Sequence, residues 1–410
     1  MKRSIVKPGS KVQARHAGTA PARIAPDYWV LVPALLLTCL GLVMVGSASV
    51  AVAEGQGVSA WHYLARHATF IGLGIVLALS LRIIPIAFLE RVSRPMLLLA
   101  TLALLLVLVP GLGHEVNGST RWIRLGPFKF QVVEAAKLMV IIYLAGYLAR
   151  KSELVQSRFF DTFKPLILAA TLSLILMLQP DMGSAAIITA IIFGMVWLAG
   201  AAWRHIFVLG ALALPAFGWA AMEPYRLRRI VSFMDPWSDP FNSGFQLTQA
   251  LIAVGRGEWL GVGLGASIQK LFYLPEAHTD FIFAVLAEEF GFLGVMLVLV
   301  LFLLLVTRIM VIGLMAHRNG RPFAGFLAYG VGIWIGLQAL VSIGVNLGVL
   351  PTKGLTLPLI SSGGSSVLMT IIAIAVVLRV KYELDRDGQV AVAGKPRSPA
   401  RRLAGAEGRA

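Results

Sequence analysis

Asp280 ends the segment Leu274-Pro275-Glu276-Ala277-His278-Thr279-Asp280 and opens the apolar run Phe281-Ile282-Phe283-Ala284-Val285. A carboxylate beside an apolar wall has its charged form disfavoured, so its pKa rises. A raised pKa suits a general base acting on a hydroxyl. The alternative is a plain N-cap for the helix that follows. His278 is a candidate proton-handling partner, although a single loop histidine is more often structural. Thr279 lies between the two and belongs to the same candidate site.

Other ionisable residues stand in or beside apolar runs, where charge is costly and marks function by default. Glu134 and Lys137 are three apart, hence on one helix face, where they either pair structurally or hold a ligand. Asp181 sits in Gln179-Pro180-Asp181-Met182-Gly183, between two apolar runs with no loop to separate them. Pro180 and Gly183 break the helix there, and Asp181 either caps the next helix or takes part in catalysis. Glu288 and Glu289 are adjacent and point in different directions, so they form no carboxylate pair of the glycosidase type; one is expected to meet an arginine. In Ser361-Ser362-Gly363-Gly364-Ser365-Ser366, two glycines among serines precede an apolar run. Such a segment can form a backbone N–H nest at a helix N-terminus and bind an anion. Ser361, Gly363, Gly364 and Ser365 are its candidate residues, with Lys353 adding charge. Small residues also serve close helix packing.

These side chains must be positioned by membrane helices. The 410 residues are 58% hydrophobic and 14% charged, whereas soluble domains are about 45–50% apolar and about 25% charged. This excludes a soluble globular, disordered or collagen-like chain. A span needs about 20 apolar residues, and ten runs qualify, at roughly 28–52, 67–82, 95–111, 131–149, 163–179, 182–200, 205–222, 288–313, 323–349 and 364–380. The expected fold is an all-α integral membrane protein of about ten transmembrane helices, with a large external loop, 223–280, between spans 7 and 8. Domain organisation follows: a basic tail 1–26, a membrane domain 27–380 and a tail 381–410, both tails polar and of disordered composition. The single cysteine, Cys39, excludes an internal disulfide and any CxxC or Cys/His metal cluster.

Charge sets the orientation. Both tails are rich in Lys and Arg, which puts both termini in the cytoplasm and requires an even number of spans. Much of the net charge of +16 therefore serves topology and not nucleic acid. Arg121, Arg226, Arg229 and Lys353 oppose that bias, since they fall in outer loops. An anionic ligand at the outer face would keep them there; the alternative is that translocated loops tolerate a few charges. The chain carries no Walker A motif, dinucleotide fingerprint, nucleophile elbow or HExxH. An outward-facing enzyme without a nucleotide needs an activated substrate, such as a lipid pyrophosphate.

Five blocks carry a resemblance: Asn117-Gly118-Ser119-Thr120-Arg121-Trp122-Ile123, Gln179 to Gly183, Gly244-Phe245-Gln246-Leu247, Leu274 to Asp280, and Pro351 to Ser366. In these, over about residues 27–385, the sequence resembles the SEDS family (shape, elongation, division and sporulation proteins). Pro351-Thr352-Lys353-Gly354-Leu355-Thr356-Leu357-Pro358 is similar to the division branch more than to the elongation branch. The resemblance implies a septal peptidoglycan glycosyltransferase of the bacterial inner membrane that polymerises lipid II, with Asp280 as the catalytic carboxylate. It implies a class B penicillin-binding transpeptidase and other divisome membrane proteins as partners, beside lipid II and the nascent glycan strand, and no nucleic acid. Arg121, Arg226, Arg229, Lys137 and Lys353 would hold the pyrophosphate, and Trp122, Glu134, Asp181, His278 and Thr279 complete the expected binding set. A divalent cation, magnesium or manganese, is compatible with this chemistry, but no ligand cluster in the sequence demands one. The chain departs from the family pattern at Gln131-Val132-Val133-Glu134, commonly Gln-Pro-Ser-Glu, and at Ser362, commonly Tyr. A lipid II flippase and a noncatalytic divisome scaffold are the rival readings. The gathering of the informative charges toward the outer half favours the enzyme over a transporter.

Overall fold

The computed structural model describes residues 25–393 apart from 117–118, 127, 206, 209, 212–214, 216–217, 219–221, 223, 272 and 353; at 116, 125, 128, 224–226, 228 and 390–393 the backbone alone is described. The fold is mostly helical. In chain order the helices are α1 (Tyr28–Gly55), α2 (His62–Leu81), α3 (Ile86–Arg91), α4 (Ser93–Leu106), α5 (Val132–Ser157), α6 (Phe159–Leu178), α7 (Met182–Leu198), α8 (Pro224–Met234), α9 (Phe245–Gly257), α10 (Ile282–Arg318), α11 (Pro322–Asn346) and α12 (Gly364–Ala393). Six of these, α1, α2, α5, α6, α10 and α11, are long and apolar enough to cross a membrane, and α4 and α7 are shorter apolar helices. The chain is a multi-pass membrane protein. Each apolar run of the sequence coincides with a helix except 205–222, which lies largely outside the described residues.

The breaks between helices have local causes. Asp181 caps α7, accepting the Ser184 N–H at 3.1 Å and the Ser184 hydroxyl at 2.8 Å. Pro322 opens α11 at a position where a missing N–H leaves nothing unpaired. α12 runs past residue 380 to Ala393, supported by the (i, i+4) pairs Arg379–Glu383 and Lys381–Asp385.

Two features depart from the sequence expectation. Residues 113–131 form a small antiparallel sheet in the order β1 (Gly113–Val116), β2 (Ser119–Leu125), β3 (Phe128–Gln131). β2 pairs with both neighbours, and Gly126 takes φ 61° in the turn to β3. The all-α expectation is corrected to mostly helical. The second departure is in α10, which starts at Ile282 and is interrupted at Gly291 (φ 62°, ψ −160°). The freed carbonyls of Glu288 and Glu289 accept the N–H groups of Val262 and Gly263, and the N–H groups of Phe292 and Leu293 donate to Glu258 and Trp259. Segment 258–263 thus satisfies the broken helix.

The core is helix on helix. α5 and α11 are the most enclosed of the six long spans, and the first turns of α10, Ile282 to Glu289, are also fully packed.

Candidate active site

Three segments and the end of α11 converge at Asp280. The first is the turn before α10. Glu276 takes a left-handed φ of 58°, and its carbonyl accepts the N–H groups of Thr279 and Phe281. Its carboxylate accepts the Thr279 hydroxyl at 2.6 Å. This turn carries Asp280 to the head of α10. From the other side Asn346, wholly buried at the end of α11, donates to the Asp280 carbonyl at 2.9 Å and accepts the Ala284 N–H at 3.0 Å. Asn346 thereby caps α10 from a neighbouring helix and leaves the Asp280 carboxylate uncommitted to that task.

The second segment is β2. Ser119 donates to the Gln179 carbonyl at 2.5 Å and ties the sheet to the α6–α7 break. Arg121, two residues on, then stands 3.7 Å from Asp181. Trp122 is half-buried on the opposite face of the strand, paired with His114 and Gln131. The third segment is the loop 351–363. Gly354 approaches so closely that a Cβ there would lie 3.2 Å from Asp280 Oδ2 and 4.0 Å from an Arg121 nitrogen. The loop bends inward at Leu359 (φ 65°), whose carbonyl packs on Gly41 of α1.

Asp280 is half-buried. Its pKa is pushed up to about 7, first by loss of hydration and then by the Glu276 charge; Arg121 and Arg229 act in the opposite direction. His278 is lowered from its ordinary value, chiefly by burial, so its ring is neutral at pH 7. That ring packs on Tyr63 with centroids 4.7 Å apart, and the His278 carbonyl accepts the Ser362 N–H at 3.1 Å.

Beneath this layer lies a buried polar chain. Lys137 donates to Glu134 at 2.8 Å and to Gln338 at 2.6 Å, and stands over the Trp334 ring at 4.8 Å. Gln338 also accepts the Trp334 indole N–H and donates to the Thr356 carbonyl at 3.0 Å. The pair therefore lies on one helix, and Lys137 connects it through Gln338 to the loop that holds Gly354. Among the described residues one Glu134 oxygen has no partner.

The Ser361–Ser365 segment is tightly enclosed. Ser361 accepts the Leu357 N–H at 2.8 Å, and Ser365 accepts the Gln131 N–H at 2.9 Å, joining β3 to α12. A Cβ on Gly363 would stand 2.8 Å from Thr356 and one on Gly364 2.3 Å from the Phe70 ring. Arg229 lies on α8, within electrostatic reach of Asp280. Arg226 is on the same helix with its side chain outside the described residues, and Lys353 is outside them altogether. Asp280, Thr279, Arg121, Arg229 and Asp181 thus share one site, with Glu134 and Lys137 behind it. Glu288 meets Arg256 at 2.6 Å and accepts from Ser267 and the Ile268 N–H, and Glu289 meets Lys270 at 2.7 Å, so both hold the 256–270 stretch. Among the described residues no three His, Cys, Asp or Glu side chains are grouped as metal ligands.

Sequence reasoning missed Gln338, Asn346 and Gly354 as site residues. The first two are lone amides in or at the end of an apolar span, a signal of function in itself. Gly354 carried none, because its role is proximity.

Fold and site together define a multi-pass membrane protein with a partly exposed carboxylate among arginines at the ends of its helices. The sequence pattern of the cell cycle protein family of FtsW, RodA and SpoVE matches residues 28–386, and the chain belongs to that family. The expected SEDS resemblance is thereby borne out, on its division side. A relative from Nitrosococcus halophilus, a probable peptidoglycan glycosyltransferase FtsW, is 53% identical over 361 residues, covering 87% of this chain and 92% of the relative. One of the same name from Halorhodospira halophila is 51% identical, covering 87% and 90%. Among solved structures, a chain of a peptidoglycan synthase complex that coordinates polymerization and crosslinking is 33% identical with a TM-score of 0.73, covering 88% of this chain and 99% of that one. The rod shape determining protein RodA of Thermus thermophilus is 30% identical with a TM-score of 0.65, covering 88% and 99%.

Proposed function

We propose that the chain is a peptidoglycan glycosyltransferase that polymerises lipid II during septal cell-wall synthesis, with Asp280 as general base. The observation that carries this reading is a half-buried carboxylate whose pKa of about 7 is set by lost hydration, in a site that also holds Arg121 and Arg229. A base near pH 7 is well matched to taking a proton from a sugar hydroxyl. The Asp280 carboxylate takes the proton of the acceptor GlcNAc 4-hydroxyl as its oxygen bonds to the anomeric carbon of the donor MurNAc. The bond from that carbon to the pyrophosphate oxygen breaks, with inversion, and undecaprenyl pyrophosphate leaves with the electron pair. Arg121 and Arg229, with Arg226 on the helix of Arg229 and Lys353 beside Gly354 in sequence, stabilise the charge on the leaving group. Lys137, held by Glu134 and Gln338, supports the loop beside the base.

The names of the relatives support the reaction, and the synthase complex supports a crosslinking partner, read here as a class B penicillin-binding transpeptidase. Ten spans follow if 205–222 crosses once. Ala199 accepts a hydrogen bond from Gln156 near the end of α5, whereas Arg229 acts on Asp280 at the opposite helix ends. With both termini cytoplasmic, segment 223–280 and the site face outward.

The test uses the purified chain with its transpeptidase partner and labelled lipid II. Wild type is expected to make glycan strands and Asp280→Asn none. Equal polymerisation by a folded Asp280→Asn variant would sink the assignment.

A further inference from the structure

A cavity of about 600 Å³ opens away from Asp280, between α1, α2 and α12. Its walls are apolar, and each helix contributes a small residue, Ala34, Ala78 and Ala375, where a larger side chain would close the space. Leu359, the inward bend of the loop that carries Gly354, forms the closed end. The open end is charged. Asp27 there is held by Arg308 at 2.7 Å, and Asp385 by Lys381 at 2.5 Å. Arg379 is paired with Glu383 at 3.1 Å and donates to the Arg82 carbonyl at 2.7 Å. The exposed Arg82 guanidinium has no carboxylate partner among the described residues. The mouth therefore has its carboxylates neutralised and one guanidinium, Arg82, left over.

Depth adds a second constraint. From Ile71 to Arg82 along α2 the wall is about 16 Å long. Half of a hydrocarbon core of about 30 Å is about 15 Å. The slot is one leaflet deep.

We propose that this groove binds an anionic glycerophospholipid, with one acyl chain between α1, α2 and α12 reaching Leu359 and the phosphate at Arg82. The slot ends at Leu359, which stops a chain much longer than one leaflet and so disfavours a polyprenyl phosphate. The basic N-terminal segment is a poor occupant, since Lys7, Lys11 and Arg15 would enter an apolar slot. The site is separate from the glycosyltransferase reading and stands without it.

Native mass spectrometry of the full chain in lipid-free detergent tests the proposal, with phosphatidylglycerol and phosphatidylcholine of the same acyl chains added in equal amounts. Wild type is expected to retain phosphatidylglycerol about five-fold over phosphatidylcholine, the factor that one surface cation contributes. Arg82→Gln should bring the two lipids to parity, and Ala78→Phe, which fills the slot, should lose both. Arg82 is exposed, so its variant reports even where Ala78→Phe fails to fold, which thermal unfolding in the same detergent detects. Equal retention by wild type, an unchanged preference in Arg82→Gln, or full retention by a folded Ala78→Phe overturns the proposal. Displacement of phosphatidylglycerol by undecaprenyl phosphate overturns it in favour of a polyprenyl occupant.

Discussion

Asp280 shows how one residue acquires a function from its surroundings. Free in water its carboxyl would be fully ionised at pH 7; at the head of α10 it is half protonated near there. If it must be ionised to act, kcat/KM for lipid II polymerisation should fall on the acid side with a midpoint near pH 7. Glu276 raises that midpoint and Arg229 lowers it. Glu276→Gln should therefore move the acid limb to lower pH and Arg229→Gln to higher pH, read from pH–rate profiles. Identical limbs in all three proteins would refute the electrostatic account. The sign for stability is opposite to that of a salt-bridged carboxylate. Between its unfolded and folded pKa values Asp280 binds more protons in the folded state, so its contribution falls as pH rises through that window. Asp280→Asn should melt a few degrees above wild type at pH 8 and with it at pH 4, which also verifies that the inactive variant is folded. At this scale the sequence was informative where a charge adjoined an apolar run. It was silent on Gly354 and on the second role of Asn346, because proximity between residues of distant segments has no local signature.

Among the elements, α10 shows how the site is held. A continuous helix would leave segment 258–263 without partners; the break at Gly291 supplies four. Gly291 occupies backbone space open essentially to glycine, and a Cβ there would lie 2.3 Å from the Gly261 nitrogen. Gly291→Ala should cost about 1–3 kcal/mol from backbone strain alone, measured by thermal unfolding in detergent. An unchanged melting temperature would contradict a fixed break. The apolar run after Asp280 marked this helix in the sequence, but not its break at Gly291, since the partners that satisfy the break lie in segment 258–263. The sheet at 113–131 was missed for a related reason: short strands with charged residues look like a loop until their partners are known.

For the molecule as a whole, the number of spans is set by the passage from α7 to α8. Ser157 and Ser238 are exposed and separated by α6, α7 and segment 205–222. In a Cys39→Ser background, single cysteines at 157 and 238 should react with a membrane-impermeant maleimide from opposite sides of the membrane. Labelling from the same side would remove the tenth span. The sequence by itself determined the class of protein, because apolar runs of membrane length and Lys/Arg asymmetry are one-dimensional quantities that the bilayer reads directly. It also determined the family, through blocks such as Leu274 to Asp280. Only the tertiary structure decided which of the separated charges share a site. Arg121 meets Asp181 because Ser119 is bonded to Gln179, and Asp280 meets Gly354 because Asn346 and the inward loop fix both. Those pairings depend on helix packing and on hydrogen bonds between residues 60 or more positions apart, which no local pattern encodes.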